Sequence, residues 1–323
     1  MMISRCCLIA PPPSKKIVIS DLTSDGDYEI IKTNGYYYGY NNLTVFDISG
    51  NSTIIDNRTF GNSNLAVGDV FGDGAKDIVY SIKVSNNERL FAADFHLDGT
   101  FELRQIGPDK KYWLYKVLGD LDNDGVLELV ATSFSSGWYL NIFENGILQE
   151  SYPITCNSLR IGNMSEANDG LEIGCLTKLG EDHVTIAILD DQLNHVEPPI
   201  DIPNTPTLMG PTFLLYDAYS DGVLEIVYLA EDRLILFDAL GNRLLEQPLS
   251  WYATGWDNLT QPVLGDFDKD GMLELLAHTV GGLLMGTATI YAWDLPLSYH
   301  ESESNWLQDV YGRGYTNCYQ CDS

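Results

Sequence analysis

The 323-residue sequence predicts an all-β fold assembled from repeats, and three observations predict it. Six segments share one pattern of acidic loop, glycine and apolar run. A second, alternating run follows each of them, and no stretch carries a sustained 3.6-residue apolar stripe. The segments are SDLTSDGDYEIIK, GDVFGDGAKDIVY, GDLDNDGVLELVA, GNMSEANDGLEIG, YDAYSDGVLEIVY and GDFDKDGMLELLA. Their glycines, Gly26, Gly74, Gly125, Gly170, Gly222 and Gly271, are spaced by 48, 51, 45, 52 and 49 residues, a period the size of one four-stranded propeller blade.

Each element follows from local pattern. The runs leaving the loops, EIIK, DIVY, LELVA, LEIVY and LELLA, are short and branched, which favours strand. The second runs, LTVFDISG, RLFAADFHLDG, LNIFENG, TIAILDD, LILFDALG and TIYAWDL, alternate and are bounded by Gly, Asn or Asp, so they read as strand and turn. Each unit is then a strand entering the loop, a strand leaving it, a third ending in the FD-type turn, and a return strand. Six such units predict a β-propeller of six four-stranded blades, which hides sheet edges by radial repetition. A seventh blade would have to lack the loop motif, and the chain has little room for it. The sixth unit lacks a clear fourth strand, which Ile3 to Ala10 could supply. The expected organisation is an N-terminal segment 1–14, a propeller 15–297 and a closing tail 298–323.

Composition narrows the function. Apolar residues make up 45%, enough for a packed core. The 46 acidic against 18 basic side chains leave a net charge of −28, which repels a phosphate backbone and argues against nucleic-acid binding and anionic-membrane docking. No run of about 18 apolar residues occurs, so no membrane-spanning helix or insertion is expected. The opening MMISRCCLIAPPPSKK is too brief and mixed for a secretory signal. An exported protein would then have had its signal trimmed, or this chain would be part of a longer polypeptide.

The loops carry metal-ligand spacing. Asp120, Asp122, Asp124 and Glu128 stand at positions 1, 3, 5 and 9 of a nine-residue turn, with the Val126 carbonyl at position 7. Asp266, Asp268, Asp270, Met272 and Glu274 repeat the set. Calcium takes six to eight oxygens, and a glycine after position 5 lets the chain wrap it; closure at position 9 excludes the twelve-residue EF-hand. Three copies are thinner: Asp21, Asp25 and Glu29 with Thr23 at position 3, Asp69, Asp73 and Asp77 with Phe71, and Asp217, Asp221 and Glu225 with Tyr219. The fourth copy, Asn163 to Glu172, is irregular and expected to be empty. Two strong calcium sites and up to five are therefore expected, and five ions would bring the charge from −28 to −18. For any single loop, an Asp-rich turn closed by its own Asx hydrogen bonds is the plain alternative.

These loops and the strands after them resemble the FG-GAP/VCBS repeats of integrin α-subunit propellers and of secreted microbial proteins, over about Lys15 to Leu297. The ending YAWDL followed by NWLQDVYGRGYTNCY is similar to the C-terminal end of the microbial branch. The resemblance implies structural calcium and recognition through other blade loops, hence adhesion, glycan or protein binding at a cell surface, or assembly outside the cell. The Phe-Gly and Gly-Ala-Pro signatures are not evident, so integrin-like ligand binding is not carried over.

Three readings of function stay open. The first is an extracellular binding module, with GYYYGYNN at 35–42, Tyr112, Trp113, Trp138, Tyr139, Trp251, Tyr252 and Trp256 as faces for sugars or as packing between blades. The second is a calcium-dependent polysaccharide lyase, since some use related propellers. Against it, His96, His183, His195, His278 and His300 form no catalytic pair, and no nucleophile elbow or phosphate loop occurs. The third is a self-assembling subunit of a surface layer or filament. Sequons at Asn42, Asn51, Asn57, Asn163 and Asn258 favour export and glycosylation. Cys156 and Cys175 bracket the fourth loop, where a disulfide could replace calcium. Cys6 or Cys7 could meet Cys318 or Cys321 as a staple, or as a zinc site.

Overall fold

The computed structural model describes residues 16–33, 42–58, 65–167, 170–180, 183–203, 213–230, 233–249, 258–280 and 288–300. Every regular element among them is a β-strand. The first sheet holds β1 (Lys16–Ser20), β2 (Glu29–Thr33), β3 (Leu43–Phe46) and β4 (Ser52–Asp56); the second β5 (Ala66–Gly68), β6 (Asp77–Val84), β7 (Asn87–Phe95) and β8 (Phe101–Gln105). The third holds β9 (Tyr112–Gly119), β10 (Glu128–Phe134), β11 (Trp138–Glu144) and β12 (Ile147–Tyr152); the fourth β13 (Ser158–Gly162), β14 (Glu172–Lys178), β15 (His183–Leu189) and β16 (Ile200–Pro203). The fifth holds β17 (Phe213–Tyr216), β18 (Glu225–Leu229), β19 (Arg233–Phe237) and β20 (Arg243–Pro248). Three strands of the sixth are described, β21 (Asn258–Gly265), β22 (Met272–Val280) and β23 (Ala288–Ser298). Each sheet is antiparallel and runs in chain order, so the fold is a six-bladed β-propeller.

Burial is graded across each blade. First strands lie innermost, β5 against β9, β9 against β13 and β13 against β17. Middle strands are covered on both faces by neighbouring blades, which is why Asp77–Ile82, Glu128–Ser133 and Glu225–Leu229 are buried without a break and mostly apolar after the leading carboxylate. Fourth strands are the more exposed, β12 along its whole length and β8 nearly so, while β16 alternates between buried and exposed residues. Alternation assigns successive residues to opposite gaps: Val67 packs toward blade one with Val18, Ile31 and Val45, while Ala66 packs toward blade three with Leu118 and Leu129. Trp113 fills that second gap, fully buried, its ring 5.9 Å from Phe143 and its Nε1 donating to Pro108 O at 3.2 Å.

All six acidic loops join a first strand to a second, and neighbouring loops touch. Lys76 N donates to Leu22 O at 2.8 Å and Ser24 Oγ to Gly74 O at 2.9 Å, linking loops one and two. The irregular fourth loop is held from both sides. Leu224 N donates to Asn163 O at 2.7 Å and Asn163 Nδ2 to Gly222 O at 2.8 Å, while Gly170 lies directly against the Leu121 carbonyl of loop three. The disulfide expected to clamp this loop is not formed. Cys156 and Cys175 are buried free thiols, and the Cys156 thiol, pushed up by burial, faces Cys175. Ile3 to Ala10, the other four cysteines, residues 35–41, Trp251, Tyr252, Trp256 and all of the expected tail except its first three residues lie outside the described residues.

A methyl group at Gly170 would sit 1.8 Å from Leu121 O, so one of the two loops must move. Gly170→Ala is expected to destabilise the protein by about 3 kcal/mol, measurable by urea unfolding; an unchanged midpoint would mean that loops three and four are not in contact.

Candidate metal centre

Five loops follow one backbone path. The residue at position 4 (Ser24, Gly72, Asn123, Ser220 or Lys269) has φ between 57° and 70°, and the position-6 glycine has φ between 85° and 91°, where a side chain would strain the turn. The position-1 aspartate, Asp21, Asp69, Asp120, Asp217 or Asp266, holds this path with both oxygens. Its Oδ1 accepts the position-5 N–H at 3.0–3.2 Å and its Oδ2 the glycine N–H at 2.8–3.1 Å. The position-5 aspartate accepts the position-7 N–H, from Asp27, Ala75, Val126, Val223 or Met272, at 2.8–3.0 Å. The Asx bonds of the plain turn are thus present, and they leave the carboxylate lone pairs on the other side to a ligand.

The position-9 carboxylate ties the loop to the sheet. Glu29, Asp77, Glu128, Glu225 and Glu274 each accept the N–H of the position-2 residue, Leu22, Val70, Leu121, Ala218 or Phe267, at 2.5–2.8 Å. Glu172 repeats the bond in loop four, to Met164 N at 2.6 Å. Two loops gather the fuller donor sets. Asp266, Asp268, Asp270 and Glu274 each offer an oxygen within 4.8 Å of the others, and so do Asp120, Asp122 and Glu128. Asp124 is engaged with Val126 N and stands outside that group, and the trios of loops one, two and five are not gathered this way among the described residues. Where loops three and six have Asp122 and Asp268 at position 3, Tyr219 points to solvent and Phe71 lies against the position of Gly146.

Five position-9 carboxyls are shifted upward. Burial pushes the Glu128 carboxyl up to about 7, against the pull of the Leu121 N–H, and the charges of Asp122, Asp120 and Asp124 push the same way. Burial likewise raises Glu225 to about 7 and Asp77 to about 8, and it raises Glu29 and Glu274. A divalent cation among these oxygens would reverse each shift by favouring the ionised form. The hard, all-oxygen donor sets of loops three and six fit such an ion.

No protein-family model matches the chain, and no curated protein sequence does. Among solved structures it is similar to a chain in the Photorhabdus luminescens Tc holotoxin pore (13% identity, TM-score 0.39, covering 94% of this chain). This chain spans only 15% of that one. It is also similar to BBS1N in complex with ARL6DN (11% identity, TM-score 0.47, covering 90% of this chain and 95% of that one). The rhamnogalacturonan lyase YesW is a third (11% identity, TM-score 0.45, covering 99% and 82%). These likenesses bring no chemistry to this chain.

The raised carboxyls set a pH dependence. Each binds its proton more tightly folded than unfolded, so its contribution is fully present below about pH 4.5 and is lost as pH rises through about 7. The chelated protein is expected to melt at a lower temperature at pH 8 than at pH 5, and added divalent cation to remove most of that fall. Glu128→Gln is expected to raise the melting temperature of the chelated protein at pH 8 and to lower it in saturating cation. A chelated melting temperature that holds level or rises from pH 5 to pH 8 would show that these carboxylates are well solvated.

Proposed function

We propose that this chain is a calcium-stabilised propeller of the FG-GAP/VCBS type that acts outside the cell as a glycan-binding module. The observation that carries the reading is the common path of five acidic loops, two of which gather three or four carboxylate oxygens within 4.8 Å of one another. Calcium is the ion favoured by hard oxygen donors in flexible turns, and at a hundredfold above its dissociation constant each site would add about 2.7 kcal/mol. Glycosylation at the exposed Asn51 and Asn57 is compatible with export.

The ligand face we favour lies at the opposite end of blade three. β9 begins there and runs away from it into loop three. Tyr112 is exposed, its ring 6.4 Å from Phe134, which stands 4.9 Å from half-buried Trp138. Lys111 Nζ lies 5.5 Å from the centroids of both Tyr112 and Phe134, and Lys110 Nζ lies 5.2 Å from that of Tyr139. Flat rings beside ammonium groups suit an acidic sugar, whose ring faces stack while its carboxylate pairs with lysine. Trp113 takes no part, being buried between blades.

Calcium added to chelated protein is expected to raise the melting temperature, with two to five ions counted per chain by elemental analysis. On an array of neutral and uronic-acid oligosaccharides, Tyr112→Ala combined with Trp138→Ala is expected to weaken binding to the acidic members at least about tenfold, roughly 1.4 kcal/mol, with the melting temperature unchanged. Absence of a calcium effect would refute the stabilising role, and equal binding by the double variant would refute the blade-three face.

A further inference from the structure

Blade two departs from its neighbours at the acidic-loop end. In the other four blades with a described third-strand turn, the residue opposite the first residue after the position-9 carboxylate is the last before that turn or one residue from it. Phe46 stands opposite Ile30, Phe143 opposite Leu129, Leu189 opposite Ile173 and Phe237 opposite Ile226. In blade two Ala93 stands opposite Ile78, and Asp94 and Phe95 prolong the β7–β8 hairpin by two residues before it turns. His96 then takes the place held by aspartate in blades one, four and five. Its N–H donates to Thr100 O at 2.9 Å, as Asp47, Asp190 and Asp238 donate to Asn51, Asn194 and Asn242 at 3.0–3.1 Å.

The longer hairpin reaches over loop two. Phe95 N donates to Asp77 Oδ1 at 3.1 Å while Val70 N donates to Asp77 Oδ2 at 2.8 Å, so both oxygens of the position-9 group bind backbone. Asp73 faces the hairpin: Ala75 N occupies its Oδ1 at 3.0 Å, and its Oδ2 lies 3.2 Å from His96 Nδ1. Asp94 is 1% exposed. Neither of its oxygens makes a hydrogen bond; Oδ2 is ion-paired with Arg104 Nη2 at 2.6 Å, and Oδ1 lies 3.9 Å from His96 Nδ1. A buried carboxylate oxygen without a donor is costly, and here it is aimed at an imidazole and a second carboxylate.

We propose that Asp73, Asp94 and His96 form a site for a zinc-class transition metal, one imidazole nitrogen and two carboxylate oxygens, with remaining places open to water or an external ligand. One ligand atom from each already lies within 4.8 Å of the others. Metal–ligand bonds of about 2.0 Å in tetrahedral array separate ligand atoms by roughly 3.3 Å, so the present 3.2 and 3.9 Å need only small side-chain rotations. Imidazole selects zinc, cobalt or nickel over calcium, which takes oxygen. Arg104, stacked 4.7 Å over Phe71, holds Asp94 from behind as outer partners of metal ligands do. The site borrows Asp73 from loop two and does not depend on calcium in loops three and six.

The test is titration of the full chain with cobalt(II), then zinc(II), in saturating calcium at about pH 8, because the hydrogen bond to Asp73 and the nearby carboxylates raise the His96 imidazole above its ordinary value and the metal must displace its proton. The wild type is expected to bind one equivalent of cobalt with visible ligand-field bands that zinc abolishes. His96→Ala, at a half-exposed turn, is expected to weaken binding at least about a hundredfold without moving the calcium-dependent melting temperature, and Asp94→Asn to alter the bands or abolish them. Failure of the wild type to bind cobalt, or unchanged affinity in His96→Ala, would overturn the assignment. A failed calcium reading would show separately, as a melting temperature indifferent to calcium.

Discussion

Each blade hangs on one contact, a carboxylate at the start of its second strand, half-buried in blade one and buried in the other five, accepting the amide at the exit of its first. The bond from Leu22 to Glu29 recurs at Val70 and Asp77, Leu121 and Glu128, Met164 and Glu172, Ala218 and Glu225, and Phe267 and Glu274. It closes the loop over seven residues, or eight in the fourth, and sets where the second strand begins. The same contact brings a negative charge out of water next to other aspartates, so the geometry that shapes the blade also creates a demand for positive charge.

That demand is met differently around the ring. Loops three and six keep the aspartates that would complete an oxygen cage. Loop two turns Asp77 wholly onto backbone donors and offers Asp73 to a histidine. Loop four has no such aspartate at its first position, where Asn163 reaches into loop five instead. One turn design therefore supports several local chemistries, because the carboxylate bond to the sheet is independent of what fills the turn.

Much of this was legible in the sequence. A period near 49 residues specified the blades, and alternation bounded by turn residues specified strand order, because both express local geometry. What escaped depends on register or on neighbours. Tyr112 and Trp113 are adjacent and chemically alike, yet strand alternation sends one to solvent and the other into the gap between blades. Asp94 and His96 sit in a run that reads like the other third strands, and only the two-residue overhang of β7 past β6 brings them to Asp73. The signal was present as a histidine where the other turns carry an acid, in FHLDG beside FDISG and FDALG. Cys156 and Cys175 flank the fourth loop in sequence only: Cys175 stands mid-strand opposite Leu159 and Cys156 lies before β13, at the end of the blade away from the loop, so a bond between them would not clamp it.

The fourth loop carries a lesson about how such rings change. Pinned by Leu121 on one side and by Gly222 and Leu224 on the other, it keeps its shape without its own ligand set. A turn braced by two intact neighbours is free to drift, whereas two adjacent turns could not both lose their anchors without slackening the rim. Decay should therefore be scattered and solitary around a propeller of this kind. Counting recognisable motifs gives a lower bound on its blades.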